Sequence, residues 1–340
     1  MHVESVERPA GAYQQPLSGA QLAAVVRRAF GDGTELAAAV ELGDGTYNST
    51  YRLTLAPGAY AGLGGHEAVL RAAPEPGRQF RSERGFMRNE HAAAPYFAPI
   101  AALLPRTLAV DFTHDLIGRD YMIQSIVPGV PARVGLQDYP RAEWAWFFRD
   151  LGAISRRIHA VRGTAFGPLV GTGHATWGQA VHAALADLVA DLEQVGLDAT
   201  DVRRLADVAW RRRDLLDAVR EPRLLHGDLW TINVMLQPDA PHPTVSGLFD
   251  CDRVTWGDPE SDWAIYRAAG RPGTERDGFW EAYGRLDDGA AARWRRLLYT
   301  ARNVASGRLE RHRLALADGV AVSYAELAEA LDRLEHAEPR

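Results

Sequence analysis

The sequence predicts an α+β chain of two lobes, a small β-rich one followed by a larger, mostly helical one. Three observations predict it. Short runs of alternating apolar residues dominate as far as Val127. Pro128-Gly129-Val130-Pro131 then breaks the pattern and marks a hinge. Beyond it, apolar residues recur at helical spacing, interrupted by one hairpin.

The elements follow in order. Residues 1–17, rich in Pro, Gly and Gln, read as an irregular arm. Ser18 with Gln21 forms a capping-box pattern, and Leu22, Val25, Val26, Ala29 and Phe30 continue at helical spacing until Gly31. Gly43-Asp44-Gly45-Thr46 lies between β-like runs, with Tyr47, Tyr51, Leu53 and Leu55 on one parity. It is either an ordinary turn or a hairpin turn whose backbone N–H groups approach phosphate. Ala68–Arg71 is a short strand, and a helix over 79–94 carries Glu83 and Glu90. Arg106–Asp111 and Tyr121–Val127 are strands that complete a first lobe over 18–127. The second lobe, 128–340, opens on a long amphipathic helix through Trp144, Phe147, Phe148, Leu151, Ile154 and Ile158. Further helices are expected near 177–195, 199–220, 260–270, 275–285, 289–313 and 323–336.

Composition narrows the function. The chain has 340 residues, 46% hydrophobic and 24% charged, with a net charge of −6. That is ordinary globular content, long enough for two lobes around a cleft. No basic run with interleaved aromatics suggests a nucleic-acid partner, and no apolar run approaches a membrane span. The first residues lack a signal-peptide core, and the single cysteine, Cys251, excludes an intrachain disulfide. A cytoplasmic monomer or homodimer is the expectation. The 38 basic residues are all arginine, so any phosphate-binding lysine must be replaced.

The most informative stretch is His226-Gly227-Asp228-Leu229-Trp230-Thr231-Ile232-Asn233, followed by Asp250 in LFDCD. Leu224 and Leu225 bring an apolar strand into His226, and Ile232, Val234 and Leu236 alternate. A Pro- and Asp-rich turn over 237–243 leads back through Val245, Leu248 and Phe249. A hairpin so built delivers Asn233 and Asp250 to one rim. Two hard oxygen ligands there suit magnesium, which takes its other ligands from phosphate and water. Asp228 is placed to accept or orient a substrate hydroxyl.

These residues and their spacing resemble the aminoglycoside phosphotransferase family, whose signature is H-G-D-x-x-x-x-N followed by a strand ending in Asp. The resemblance implies a bilobal protein-kinase-like fold and transfer of a γ-phosphoryl group from ATP or GTP to a small-molecule hydroxyl. It makes Asp228 catalytic and Asn233 and Asp250 the ligands of Mg2+. Arg71 stands where the family has lysine, and Glu90 where it has the pairing glutamate, with Glu83 as the rival. Ser49 and Thr50 fall in the phosphate-approaching turn, and Ser125 and Val127, with Gln124 beside them, in the hinge strand that binds adenine. His226 and Asp262 are implied to support the catalytic loop, with His159 in packing. Asp252 is either a metal or substrate contact or a solvated charge, and Cys251 is a small buried residue. The commonest acceptor in such a family is a cationic antibiotic, an aminoglycoside or a tuberactinomycin-type peptide, and the commonest outcome is resistance. Asp187, Asp191, Glu193, Glu281, Asp287 and Asp288 are candidates for its pocket. HGDLW also resembles fructosamine kinases, and choline and homoserine kinases share the pattern. A silent binding protein of kinase fold is the remaining alternative, marked by Arg71 in place of lysine.

Overall fold

The computed structural model describes residues 1–8, 12–43, 45–57 and 65–337. Asp44, in the predicted Gly-rich turn, lies outside them. The first lobe is a six-stranded sheet in the order β1-β2-β3-β4-β6-β5, from β1 (His2–Glu4), β2 (Leu36–Leu42), β3 (Ser49–Leu55), β4 (Glu67–Ala72), β5 (Thr107–Asp111) and β6 (Tyr121–Ser125). Helix α1 (Gly19–Phe30) starts at Ser18, whose side chain and that of Gln21 complete the capping box. It packs Leu22, Val25 and Val26 against Leu53, Leu70 and Ile123 of the sheet.

Two expectations for this lobe are corrected. The arm is not irregular throughout, because His2–Glu4 pairs in parallel with Ala38–Val40. Glu41 holds it further, accepting from Val6 N at 3.0 Å and Arg8 Nη1 at 2.6 Å. The helix expected over 79–94 is broken. Arg81–Glu83 forms a single 3-10 turn, Gly85 adopts φ 79°, and α2 runs only from Phe86 to Ala93. A left-handed glycine cannot continue a helix, so Glu83 and Glu90 sit on separate pieces.

The hinge is itself part of a sheet. β7 (Val130–Pro131) pairs with β10 (Val234–Leu236), which pairs with β11 (Val245–Leu248). Gly129 permits this close approach at φ 131°, where a Cβ would lie 2.6 Å from the Leu236 carbonyl oxygen. A third small sheet joins β8 (Gly167–Pro168), β9 (Arg223–Leu225) and β12 (Thr255–Gly257). Ile232 departs from the predicted alternation. It is 56% exposed in a 3-10 turn over Thr231–Asn233, and the strand begins at Val234.

Helices fill the remainder: α3 (Ala132–Gly135), α4 (Trp144–His159), α5 (Trp177–Gln194), α6 (Thr200–Arg211), α7 (Arg213–Asp217), α8 (Trp263–Ala269), α9 (Gly278–Tyr283), α10 (Ala290–Arg313) and α11 (Ala317–His336). The helix expected over 199–220 is two, and α11 begins earlier than expected. Phe147, Phe148, Leu151 and Ile154 of α4 pack with Leu229, Trp230 and Val234, so one core backs the loop of Asp228 and the hairpin that follows it. A second core joins α5, α6, α10 and α11 through Leu185, Leu205, Trp294 and Leu331. Among the described residues no helix is long and apolar enough to cross a membrane.

Candidate active site

A cleft of about 1610 Å³ runs between the six-stranded sheet and the helices. Asp228, Asn233, Asp250, Arg71, Thr50, Gln124, Ser125, Val127 and Asp262 all line it.

The loop bearing Asp228 is held from below. Asp262 accepts from the backbone N–H of His226 at 3.1 Å and of Gly227 at 2.9 Å. His159 donates to the same carboxylate from Nε2 at 2.8 Å and accepts from Tyr283 at Nδ1. Burial works against the Asp262 charge, but the His159 bond and the loop amides hold its pKa below the usual carboxylate value. His159 is therefore more than packing. His226 is fully buried, and burial lowers its pKa. Its Nδ1 accepts from Asp228 N at 3.4 Å, which leaves Nε2–H toward Cys251 Sγ at 3.5 Å. Burial raises the Cys251 pKa, so the thiol stays protonated. Gly227 has φ 81°, and a Cβ there would lie 2.2 Å from the Arg253 carbonyl oxygen.

Asp228 has a side chain 21% exposed toward the cleft. Burial pushes its pKa up to about 7; Arg253 opposes that shift and Asp250 adds to it. Arg253, with Nε 3.8 Å from Asp228 Oδ2 and its guanidinium over the Phe86 ring, was not foreseen from the sequence. Nothing in sequence spacing marks an arginine that folds back on the loop. Asn233 is buried, and its Nδ2 donates to the Asp228 carbonyl at 2.8 Å. Its amide oxygen is the group left for a ligand. Phe249 N donates to the Asn233 carbonyl at 3.1 Å, which draws Asp250 to the same rim. Asp250 sits at φ 62°, a conformation that strains a residue with a Cβ.

Arg71 is buried on β4 and reaches three carboxylates. Nη1 donates to Glu90 Oε2 at 2.5 Å, Nη2 donates to Asp250 Oδ1, and Asp252 lies at 3.6 Å. Burial disfavours the charge, but Glu90, Asp250 and Asp252 together push its pKa up. Glu90, not Glu83, is thus the partner of Arg71. Asp252 is buried and not solvated; burial, then Asp250, raises its pKa despite Arg71. Glu83 pairs instead with Arg313 of α10 and accepts from Tyr13 at 2.9 Å.

On the sheet side, Thr50 lies directly across from Arg71 in the β3–β4 ladder. Ser49 is corrected: strand alternation turns it away from the cleft, where its Oγ donates to the Gln15 carbonyl at 3.0 Å. Asn48 lines the cleft instead, with Oδ1 buried and unpartnered. Gln124 spends its Nε2 on Glu90 at 3.1 Å. Ser125 N donates to Arg106 O at 2.9 Å, so its N–H is already used. Val127 packs on Gly247, where a Cβ would lie 2.1 Å from Val127 Cγ1. Val69, Val127, Met235 and Phe249 give this end an apolar lining.

The helical side departs from the acidic pocket expected. Of the six carboxylates named for it, only Asp187 lines the cleft. Asp191 is buried and accepts from the backbone N–H groups of Arg81 and Ser82. Glu193 pairs with Arg203 and Glu281 with Arg149, while Asp287 receives Gly289 N and Asp288 borders a separate small depression. Glu310 of α10 lines the cleft and was missed.

Among known proteins, the model of the phosphotransferase enzyme family matches residues 38–298. A Klebsiella pneumoniae protein named "Probable ketoamine kinase in tonB 3'region" is 40% identical over 65 residues, which cover 19% of this chain and 46% of that protein. The chain thus spans about half the length of that curated relative. The fold is similar to a thermostable mutant of aminoglycoside phosphotransferase APH(4)-Ia in ternary complex with ADP and hygromycin B. The TM-score is 0.62 and the identity 17%, covering 92% of this chain and 98% of the other. It is similar also to the GDP complex of wild-type aminoglycoside 2'-phosphotransferase-IIIa, with TM-score 0.61 and 16% identity over 93% and 99% of the two chains. At such identities the likeness rests on fold. The family match spans most of the chain, including the stretch from His226 to Asp250, so the chain belongs to the phosphotransferase enzyme family.

Proposed function

We propose that the chain transfers the γ-phosphoryl group of ATP or GTP to a hydroxyl of an amine-bearing small molecule. One observation carries this reading: Asp228, Asn233 and Asp250 meet the Arg71–Glu90 pair in a single cleft between two lobes. Asp228 takes or orients the acceptor hydroxyl. Its pKa near 7 suits a group that must be ionised at neutral pH yet accept a proton. Arg71, held by Glu90, faces the nucleotide phosphates from the sheet, and the apolar end of the cleft receives the base.

The residues at the rim fit magnesium. Asn233 keeps its amide oxygen, and Asp250, with a side chain 34% exposed, keeps one carboxylate oxygen clear of Arg71. Both are hard donors, and the rest of the shell would come from phosphate and water. Bound there, Mg2+ would neutralise the charge on the transferring phosphoryl group.

Asp187 and Glu310 supply negative charge for the acceptor's amine. An aminoglycoside is one acceptor of this chemistry, and its phosphorylation would confer resistance. A ketoamine is the second, favoured by the stretch similar to the ketoamine kinase. The test is ADP or GDP release from purified protein with aminoglycosides, tuberactinomycins, fructosamines, choline and homoserine. Asp228→Asn serves as the blank. An Asp228-dependent signal names the acceptor class. Nucleotide binding without turnover of any acceptor would favour a silent binding protein.

A further inference from the structure

The cleft wall formed by α10 holds a cation, Arg302, whose nearest acids are engaged elsewhere. Arg302, Asn303 and Ser306 occupy one arc of this helix, and all three line the cleft. The Arg302 guanidinium donates from Nη2 to the Ser261 carbonyl at 3.2 Å and lies over the Tyr299 ring, 5.6 Å from its centroid. Among the described residues no carboxylate comes within ion-pair distance of it. The two acids whose fields reach it are already engaged. Asp262 is taken by His159 and the catalytic-loop amides, and Asp258 by Arg295 and Tyr299.

Such an arrangement is costly. A half-buried cation without a close counter-ion disfavours the folded state. Burial lowers the Arg302 pKa, as desolvation of an uncompensated charge requires. A ligand anion in the cleft would give the guanidinium the close counter-ion it lacks. The planar guanidinium fork, with only Nη2 bound to the Ser261 carbonyl, matches the two oxygens of a carboxylate. A single cation near Asp258 and Asp262 suits a monoanion better than a phosphate dianion.

We propose that Arg302 anchors a subsite for a carboxylate carried by the acceptor. The acceptor is then zwitterionic, with its amine toward Asp187 and Glu310, its carboxylate on α10 and its hydroxyl at Asp228. This rests on the phosphotransferase reading above for the identity of the ligand, and it excludes acceptors that carry only amines as the best substrates.

The first test needs no turnover. The full chain, saturated with Mg2+ and the ATP analogue AMP-PNP to fill the phosphate site, is titrated with acetate at constant ionic strength, and thermal stabilisation is read. The expected result is saturable stabilisation, weakened at least about tenfold in Arg302→Gln and partly restored in Arg302→Lys. AMP-PNP binding by each variant shows that it is folded. An equal response in wild type and Arg302→Gln, or no saturable response in wild type, overturns the subsite. Tighter binding of sulfate than of acetate overturns the carboxylate assignment. The second test compares phosphorylation of fructosyl-lysine with that of fructosyl-cadaverine, which lacks only the carboxylate. A preference of at least about tenfold for the former, lost in Arg302→Gln, supports the subsite. Equal turnover of the two overturns it. No turnover of either, with acetate binding intact, counts against the kinase reading for ketoamines and leaves the subsite supported by the titration.

Discussion

Arg71 bridges Glu90 and Asp250, one nitrogen to each, and so ties the six-stranded sheet to the end of the hairpin that carries Asn233 and Asp250. A lysine ammonium is a compact point charge and would lack this two-ended reach. Arg71→Lys is expected to keep the Glu90 contact and release Asp250. Arg71→Ala leaves buried Glu90 and Asp252 without their shared cation, at a cost of about 3–5 kcal/mol. The alanine variant should melt well below wild type and show a raised nucleotide KM. The lysine variant should retain most of the stability. Thermal melts with nucleotide titrations check this, and an unchanged KM in Arg71→Ala would move the phosphate clamp elsewhere.

The buried carboxylate of Asp228 costs the fold stability at neutral pH. Its pKa is pushed up to about 7 in the folded chain, against about 3.9 in an unfolded one. The folded state therefore holds the proton more tightly. The Asp228 contribution to stability is greatest below about pH 4, falls as pH rises to about 7, and is lowest above that. The loss is roughly 2–4 kcal/mol. Asp228→Asn removes the titration, so it should melt above wild type at pH 8 and gain much less at pH 5. Turnover should fall by about 10²–10⁴-fold with nucleotide binding nearly intact. A variant that lost turnover but melted below wild type at pH 8 would contradict the raised pKa.

How much of this could be read from the sequence follows from distance along the chain. Asp228, Asn233 and Asp250 lie in one hairpin, so local spacing sufficed to bring them to one rim. Arg71 and Glu90 needed the order of strand and helix as well. Arg313 and Glu83 are 230 residues apart, and no periodicity links them. Asp191 has the helical spacing of a surface acid, yet it is fully buried by a loop 110 residues earlier. The broken helix at Gly85 failed for the opposite reason, since its apolar pattern continued across a backbone conformation that the pattern does not encode.

Gly227 tests the close packing of the loop. Alanine at φ 81° is strained, and its Cβ would meet a backbone oxygen that cannot swing aside. Gly227→Ala should displace Asp228 and lower kcat by about 10²-fold or more. The neighbouring amides also lose their bonds to Asp262, so the melting temperature should fall. Wild-type activity in this variant would mean that the loop relaxes without moving Asp228.

Arg253 opposes the upward shift at Asp228. Arg253→Gln should therefore move the acid limb of the kcat/KM profile to higher pH. Arg253→Lys should move it less, because the charge is kept. The profile, not the rate at one pH, is the informative readout. An unshifted limb in Arg253→Gln would show that the limb belongs to another group.

Glu83 and Arg313 form a buried pair joining α10 to the turn before α2, with side chains 7% and 6% exposed. The Arg313 guanidinium also lies 4.1 Å from the Tyr13 ring centroid, and Tyr47 donates to the Glu83 carbonyl at 3.1 Å. The pair thus braces the hairpin that borders the cleft. Removing either partner strands a buried charge, at about 3–5 kcal/mol. Removing both leaves none. Glu83→Gln and Arg313→Met should each destabilise the chain by about 3–5 kcal/mol, and the double variant by less than the sum of the two. Denaturant melts of the four proteins give the coupling energy directly. A sum that is strictly additive would mean that the two side chains do not share an interaction in solution.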